Sequence, residues 1–235
     1  MTADPSPEFD AFAEDYDAAL KRGISVSGES KDYFARGRLA WLKLQLEALA
    51  FQPKSIMDYG CGTGTATPFI RELLKPDRLL GVDISDRSLA VARRDHGGAD
   101  RDFKLFGAYE PDATFDLVFC NGVFHHIPID QRAACMAYIV RSLRPGGLFA
   151  LWENNPWNPG TQLVMARIPF DRDAVKLSPP YARNMIRSTG LEVVSTTFQF
   201  VFPNFLSGLR RWEPALAHWP LGAQYQILAR KSGAP

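Results

Sequence analysis

Four short stretches of this 235-residue chain carry residue types and spacings suited to chemistry. Residues 56–67 read I-M-D-Y-G-C-G-T-G-T-A-T, with Asp58 followed by Gly60, Gly62 and Gly64 at every second position and Cys61 among them. Glycines allow positive φ and close approach of backbone to a ligand. A helix N-terminus behind such a loop offers unbonded N–H groups to anionic or polar ligand atoms. An ordinary tight turn would account for the glycines alone. It would not account for Asp58, because a carboxylate at the tip of a buried strand is costly without a partner. The second stretch, R-L-L-G-V-D-I-S, ends on Asp83, 23 residues after Gly60. There a carboxylate can accept hydrogen bonds from both hydroxyls of a ribose. It could instead cap the next helix, but Ser85 or Asp86 can do that. The third is N-G-V-F-H-H-I-P, with Asn121, Gly122, His125 and His126; the fourth is W-E-N-N, with Glu153, Asn154 and Asn155. A histidine supported by Glu153 would make a general base for an oxygen acceptor. Against that, one of two adjacent histidines ordinarily caps a turn or packs in a core.

The elements that position these groups follow from periodicity. Strands at 54–59 and 78–83, a helix at 66–74 and another at 85–95 bracket the glycine loop and Asp83. A short third strand covers Asp102–Phe106. Leu117, Val118 and Phe119 form the continuous apolar run of a fourth strand buried on both faces. A helix over 130–142 is stopped by Pro145, and Gly146-Gly147 turn the chain into a fifth strand, L-F-A-L-W-E. Helices follow at 161–168 and from Ser178 to Gly190, then strands near 191–200 and 222–231. Ahead of this alternation lie an amphipathic helix at 9–22, with Phe9, Phe12, Tyr16 and Leu20 on one face, a loop at 23–30, and a helix at 31–50 with Tyr33, Phe34, Leu39, Leu42, Leu46 and Leu49 inward.

The glycine spacing separates two ligand classes. The dinucleotide fingerprint G-x-G-x-x-G, read from Gly60, needs glycine at position 65, where Thr65 stands. D-x-G-x-G-x-G resembles instead the first motif of the class I S-adenosylmethionine-dependent methyltransferases. F-D-L-V followed by F-H-H-I-P is similar to many small-molecule members, and S-L-R-P-G-G-L recurs in that family. The resemblance covers residues 32–152, and the remainder only in layout. It implies an α/β, Rossmann-like, doubly wound seven-stranded sheet, mostly parallel, with an antiparallel last strand inserted beside the fifth and an N-terminal helical cap. It divides the chain into a cap or lid segment at 1–31 and a methyltransferase domain at 32–235, with a lid-like insertion at 202–222.

For the site, the resemblance implies S-adenosyl-L-methionine as cofactor. Asp58 faces its ammonium, the loop of Gly60, Cys61, Gly62 and Gly64 wraps its amino-acid end, Asp83 holds ribose, and Ile84 packs on adenine. Backbone groups of Gly107 and Ala108 are candidates for adenine, in place of the acidic residue usual after the third strand. Asn121 and Gly122 line the cleft, and Tyr16 is the cap's aromatic. The N-P-P-Y pattern of amino methyltransferases is absent, which favours a small or lipid-linked acceptor, methylated on oxygen or nitrogen. A nicotinamide oxidoreductase and a non-catalytic cofactor-binding regulator are the competing classes.

Composition sets further bounds. Net charge is +1 and charged residues are 23% of the chain, so there is no global basic footprint for nucleic acid. No run approaches a membrane span, and the N-terminus shows no signal peptide. Cys61, Cys120 and Cys135 form no C-x-x-C pair, which suits a reducing cytoplasm. Clustered carboxylates are lacking at the fourth-strand tip, so no metal is expected. Between the last two strands, Phe205, Leu209, Trp212, Leu216 and Trp219 form an aromatic stripe. It reads as a helix covering the sheet edge, with a substrate lid or a peripheral membrane contact through Trp212, Trp219, Arg210 and Arg211 as the sharper alternative.

Overall fold

The structure, a computed structural model, describes residues 23–24, 27–168 and 175–233. The helix expected at 9–22, and with it Tyr16, lies outside the described residues. Among the described residues the chain opens with α1 (Lys31–Ala48), capped by Ser30, whose hydroxyl accepts from the Tyr33 N–H. β1 (Ser55–Tyr59), α2 (Thr67–Leu74), β2 (Arg78–Asp83), α3 (Asp86–His96), β3 (Arg101–Leu105) and β4 (Phe115–Asn121) follow. Next come α4 (Arg132–Ser142), β5 (Leu143–Asn154), α5 (Pro159–Arg167), α6 (Pro179–Arg187) and β6 (Leu191–Gln199). A 3₁₀ helix (Asn204–Trp212), α7 (Glu213–Leu216) and β7 (Gln224–Lys231) close the chain.

The seven strands form one sheet in the order β3-β2-β1-β4-β5-β7-β6. All pairs are parallel up to β5; β7 runs antiparallel to both β5 and β6. The expected insertion of the last strand beside the fifth is therefore observed. Burial explains the sheet: Leu117, Val118, Phe119 and Cys120 of β4 are all buried, two facing each way. One face packs Val118, Phe149 and Ile227 with Met136 and Ile139 of α4. The other packs Phe119, Trp152 and Leu228 under Leu39, Leu42 and Leu46 of α1. The strand order reverses between β1 and β4, and a crevice opens there beyond the strands' C-terminal ends.

Four expectations need correction. β3 starts and ends one residue earlier than read, and β5 begins at Leu143 rather than Leu148. On α1, Tyr33, Phe34 and Leu49 are only half-buried; Tyr33 and Phe34 turn to Phe200, with ring centroids 5.9 and 5.0 Å away. The 202–222 connection is helical, but its stripe does not seal the sheet edge: no residue of the 3₁₀ helix is buried.

Candidate functional site

A cavity of about 840 Å³ opens at the switch point, large enough for a cofactor and part of a second small molecule. The glycine loop forms one wall. Gly60 has φ +72°, and a Cβ there would lie 2.3 Å from Val123 Cγ2, so backbone and β4 loop meet only because the side chain is absent. Gly62 has φ +53° and nothing within 4 Å of its Cβ position, which leaves that side open to the cavity. Gly64 is different: it lies outside the lining, and its Cβ would press on His96 and Ala92, so it lets α3 pack against the loop.

Two carboxylates flank the loop. Asp83 Oδ2 accepts the Gly62 N–H at 2.8 Å and Oδ1 accepts the Ser85 N–H at 2.9 Å. The helix cap falls to Ser85, which accepts from the Ser88 N–H. Asp58 is buried in the cavity wall, and its Oδ2 has no hydrogen-bond partner among the described residues. Burial, and then the Asp83 charge, push its carboxyl up to about 7, with Arg38 acting the other way. A buried carboxylate with an orphaned oxygen calls for a cation from outside the chain. The ammonium of an amino-acid cofactor fits that need, and a cofactor's polar atoms can approach Gly62 unhindered. Burial pushes the Cys61 thiol up, so beside them it is an uncharged wall group.

The other wall comes from β4 and β5. Gly122, at φ +67°, turns the chain after Asn121, and its N–H donates to the Trp152 carbonyl. The following turn brings His125 back under the strand ends. His125 Nδ1 lies 2.6 Å from Glu153 Oε2, and Glu153 Oε1 accepts the Phe124 N–H at 2.9 Å. The two side chains are 4% and 1% exposed, yet both border the cavity. His126 also borders it, its ring centroid 4.0 Å from that of His125. The carboxylate fixes the imidazole orientation and leaves Nε2 as the nitrogen not held by Glu153.

Most of the expected residues thus converge: Asp58, Gly60, Cys61, Gly62, Asp83, Ile84, Asn121, Gly122, His125, His126 and Glu153 all line one cavity. Gly107 and Ala108 do not; they are exposed, the Ala108 N–H is spent on the Leu105 carbonyl, and Phe106 lines the cavity instead. Asn155 departs from its neighbours: it is fully buried, and its amide donates to the Pro220 and Gly222 carbonyls, holding the loop before β7. Sequence reading missed Arg38 and Gln224. Arg38 Nη1 donates to Gln224 Oε1 at 2.9 Å, and both line the cavity. Only the placed helix reveals them: Lys31, Phe34 and Arg38, at i, i+3 and i+7 of α1, all border the cavity. Among the described residues no three His, Cys, Asp or Glu side chains come together to hold a metal, and no helix is long and apolar enough to cross a membrane.

The chain is similar to known methyltransferases. A family described as a methyltransferase domain matches residues 57–149, from β1 to the middle of β5. A trans-aconitate 2-methyltransferase of Methylobacterium nodulans is 28% identical over 73% of this chain, which spans 59% of that relative's length. Among solved structures, human N-acetylserotonin methyltransferase with S-adenosylmethionine superposes with a TM-score of 0.65 at 16% identity, covering 99% of this chain and 60% of that one. An S-adenosylmethionine-dependent methyltransferase of Mesorhizobium loti gives 0.58 at 19% identity, covering 80% and 96%. At these identities the structural likeness concerns the fold.

Proposed function

We propose that the chain is a class I S-adenosylmethionine-dependent methyltransferase, a reading supported by the methyltransferase-domain match and the methyltransferase relatives, and that it methylates an oxygen, or a nitrogen, of a small or lipid-linked molecule. The observation that carries the proposal is the buried His125–Glu153 pair on the wall of the cavity that also holds Asp58, Gly62 and Asp83. When bound, S-adenosylmethionine supplies a methyl group already activated on a sulfonium. The residues must then bind, align and, where the acceptor carries a proton, remove it.

Asp58 receives the cofactor's ammonium, and Asp83 accepts from its ribose hydroxyls. Arg38, close enough for its charge to act on Asp58, is placed to take the neighbouring carboxylate, so the pair reads as a receptor for an amino-acid zwitterion. Ile84 and Phe106 offer apolar contact to the base. Holding both reactants in line supplies roughly 7–11 kcal/mol of the barrier reduction. His125 Nε2 takes the acceptor proton, and Glu153 stabilises the imidazolium that results. The base adds about 10²–10⁴-fold, and only for an acceptor that must lose a proton.

Beyond the glycine loop, the cavity lining mixes Phe200, Phe202, Met165 and Ile168 with Lys31, Asn158 and Arg210. Apolar walls with a few polar and cationic groups suit a small organic molecule rather than a nucleic acid. The relatives' name makes trans-aconitate the first acceptor to assay. The general test is transfer of a tritiated methyl group into separated lipid, metabolite, protein and RNA fractions. Label is expected in the lipid or metabolite fraction; label confined to RNA or protein overturns the substrate class. Calorimetric titration with S-adenosylhomocysteine and with NADH checks the cofactor, and binding of NADH alone would return the oxidoreductase reading. Cofactor binding with no label in any fraction would favour the regulator.

A further inference from the structure

The connection between β6 and β7 exposes apolar side chains that a water-soluble surface does not need. Phe205 is 81% exposed, Trp212 56% and Trp219 64%, and Leu206, Leu209 and Leu221 are exposed as well. In a 3₁₀ helix residues three apart eclipse, so Leu209 and Trp212 form one ridge, which Leu206 extends across a kink. The scaffold under it is fixed. Glu213 accepts the Phe202 N–H, Arg210 pairs with Glu29 at 2.7 Å, and the amides of Asn155 and Asn158 hold the carbonyls of residues 220–222. A fixed, exposed apolar ridge marks an interaction surface.

We propose that this ridge is a contact surface for a lipid bilayer, seating the mouth of the cavity on the headgroup region. Three observations select a bilayer. Both tryptophans of the connection are exposed, and tryptophan favours the membrane–water interface. Arg211 is exposed and lies over the Trp212 ring at 5.6 Å, which puts a cation beside the indole, complementary to lipid phosphates. The ridge is also continuous with the cavity: Phe202, Pro203, Phe205 and Arg210 of the same connection line its wall. An acceptor anchored in the bilayer would therefore meet the cavity mouth that leads to His125. That consequence rests on the transferase reading above; the surface itself does not.

The test is co-sedimentation of the full chain with phosphatidylcholine vesicles, with and without phosphatidylglycerol. The wild-type chain is expected to partition onto vesicles, and more strongly when phosphatidylglycerol is present. Combined Leu209→Ser and Trp212→Ser should lower the partition coefficient at least about tenfold, with S-adenosylhomocysteine binding unchanged as evidence of folding. Trp219→Ser, outside the 3₁₀ helix, is a second variant with the same direction. Arg211→Gln should remove the preference for phosphatidylglycerol. No partition of the wild-type chain, or equal partition of the serine variants, overturns the proposal. So does self-association of the wild type that the serine variants lose, since the ridge is then an interface between copies. Transfer to a water-soluble acceptor without vesicle binding would overturn this surface and leave the catalytic reading standing.

Discussion

Asp58→Asn should move stability and cofactor affinity in opposite directions. The Asp58 carboxyl is buried and pushed from its ordinary 3.8 up to about 7 by burial and the Asp83 charge. The folded chain therefore keeps this proton up to about pH 7, while the unfolded chain loses it near 3.8. Between those values the folded state binds more protons, so stability falls as pH rises; above about 7 both states are ionised and this dependence ends. At 1.36 kcal/mol per pH unit, the penalty above pH 7 is on the order of 4 kcal/mol. An amide of the same shape carries no charge but still leaves a polar group unmet, so about half of that should be recovered. For a chain of this length, about 2 kcal/mol raises Tm by roughly 4–8 °C. If Asp58 is the partner of the cofactor's ammonium, as proposed, the same substitution removes a charge-assisted bond worth about 1.5–3 kcal/mol, so S-adenosylhomocysteine should bind roughly 10–150-fold more weakly. Scanning calorimetry without ligand at pH 8, and isothermal titration at the same pH, measure the two quantities. A variant that melts lower than the wild type, or binds as tightly, would refute the reasoning.

In Glu153→Gln the amide oxygen must still accept the Phe124 N–H, so the NH2 group faces His125 Nδ1, the ring keeps its proton on Nε2 and it cannot act as base there. We expect kcat to fall about 10²–10⁴-fold with the cofactor Kd unchanged if the acceptor must lose a proton; an unchanged kcat removes the base and leaves the substrate class. Asp83→Ala loses the bonds to Gly62 and Ser85 along with any to ribose, and titration should show cofactor binding weaker by about 1–3 kcal/mol. Gly62→Val meets open space and should abolish cofactor binding with a stability loss of about 2 kcal/mol from its left-handed backbone alone, whereas Gly60→Val bears the same strain, also strikes Val123 and should lower Tm further. Equal melting of those two variants would contradict the loop geometry.

What could be read from the sequence was what lies close along the chain. Asp58, Gly60 and Gly62 sit within five residues, and the period-two glycines carried both the loop shape and the ligand class. Asp83 was legible because it ends an apolar run. The helical character of 202–222 was legible too, but its exposure was not, because periodicity marks a face without saying what that face meets. Asn155 looked like its neighbours Glu153 and Asn154, although the loop carbonyls it holds come from residues 220 and 222. Arg38 and Gln224 are 186 positions apart, and neither has meaning until α1 is laid over the sheet. Gly107 and Ala108 were candidates by elimination, and a backbone N–H already used within its own turn is invisible in a string of letters.

The meeting of these distant residues follows from strand direction. Parallel β4 and β5 are in register at Asn121 and Trp152, so Glu153, near the end of β5, and His125, in the turn after β4, come within hydrogen-bond reach. A parallel last strand would have ended at this edge and begun at the far one. β7 is antiparallel, so it begins where β5 ends, and Gln224 stands opposite Asn154, with its amide Nε2 3.3 Å from Asn154 Oδ1. Arg38 reaches down from α1 onto the same glutamine. The reversed strand therefore does more than widen the sheet: it supplies the residue that ties a cation of α1 to the rim of the cavity. Replacing Gln224 should disturb Arg38, and through it the carboxylate end of the cofactor, while leaving the His125–Glu153 pair intact.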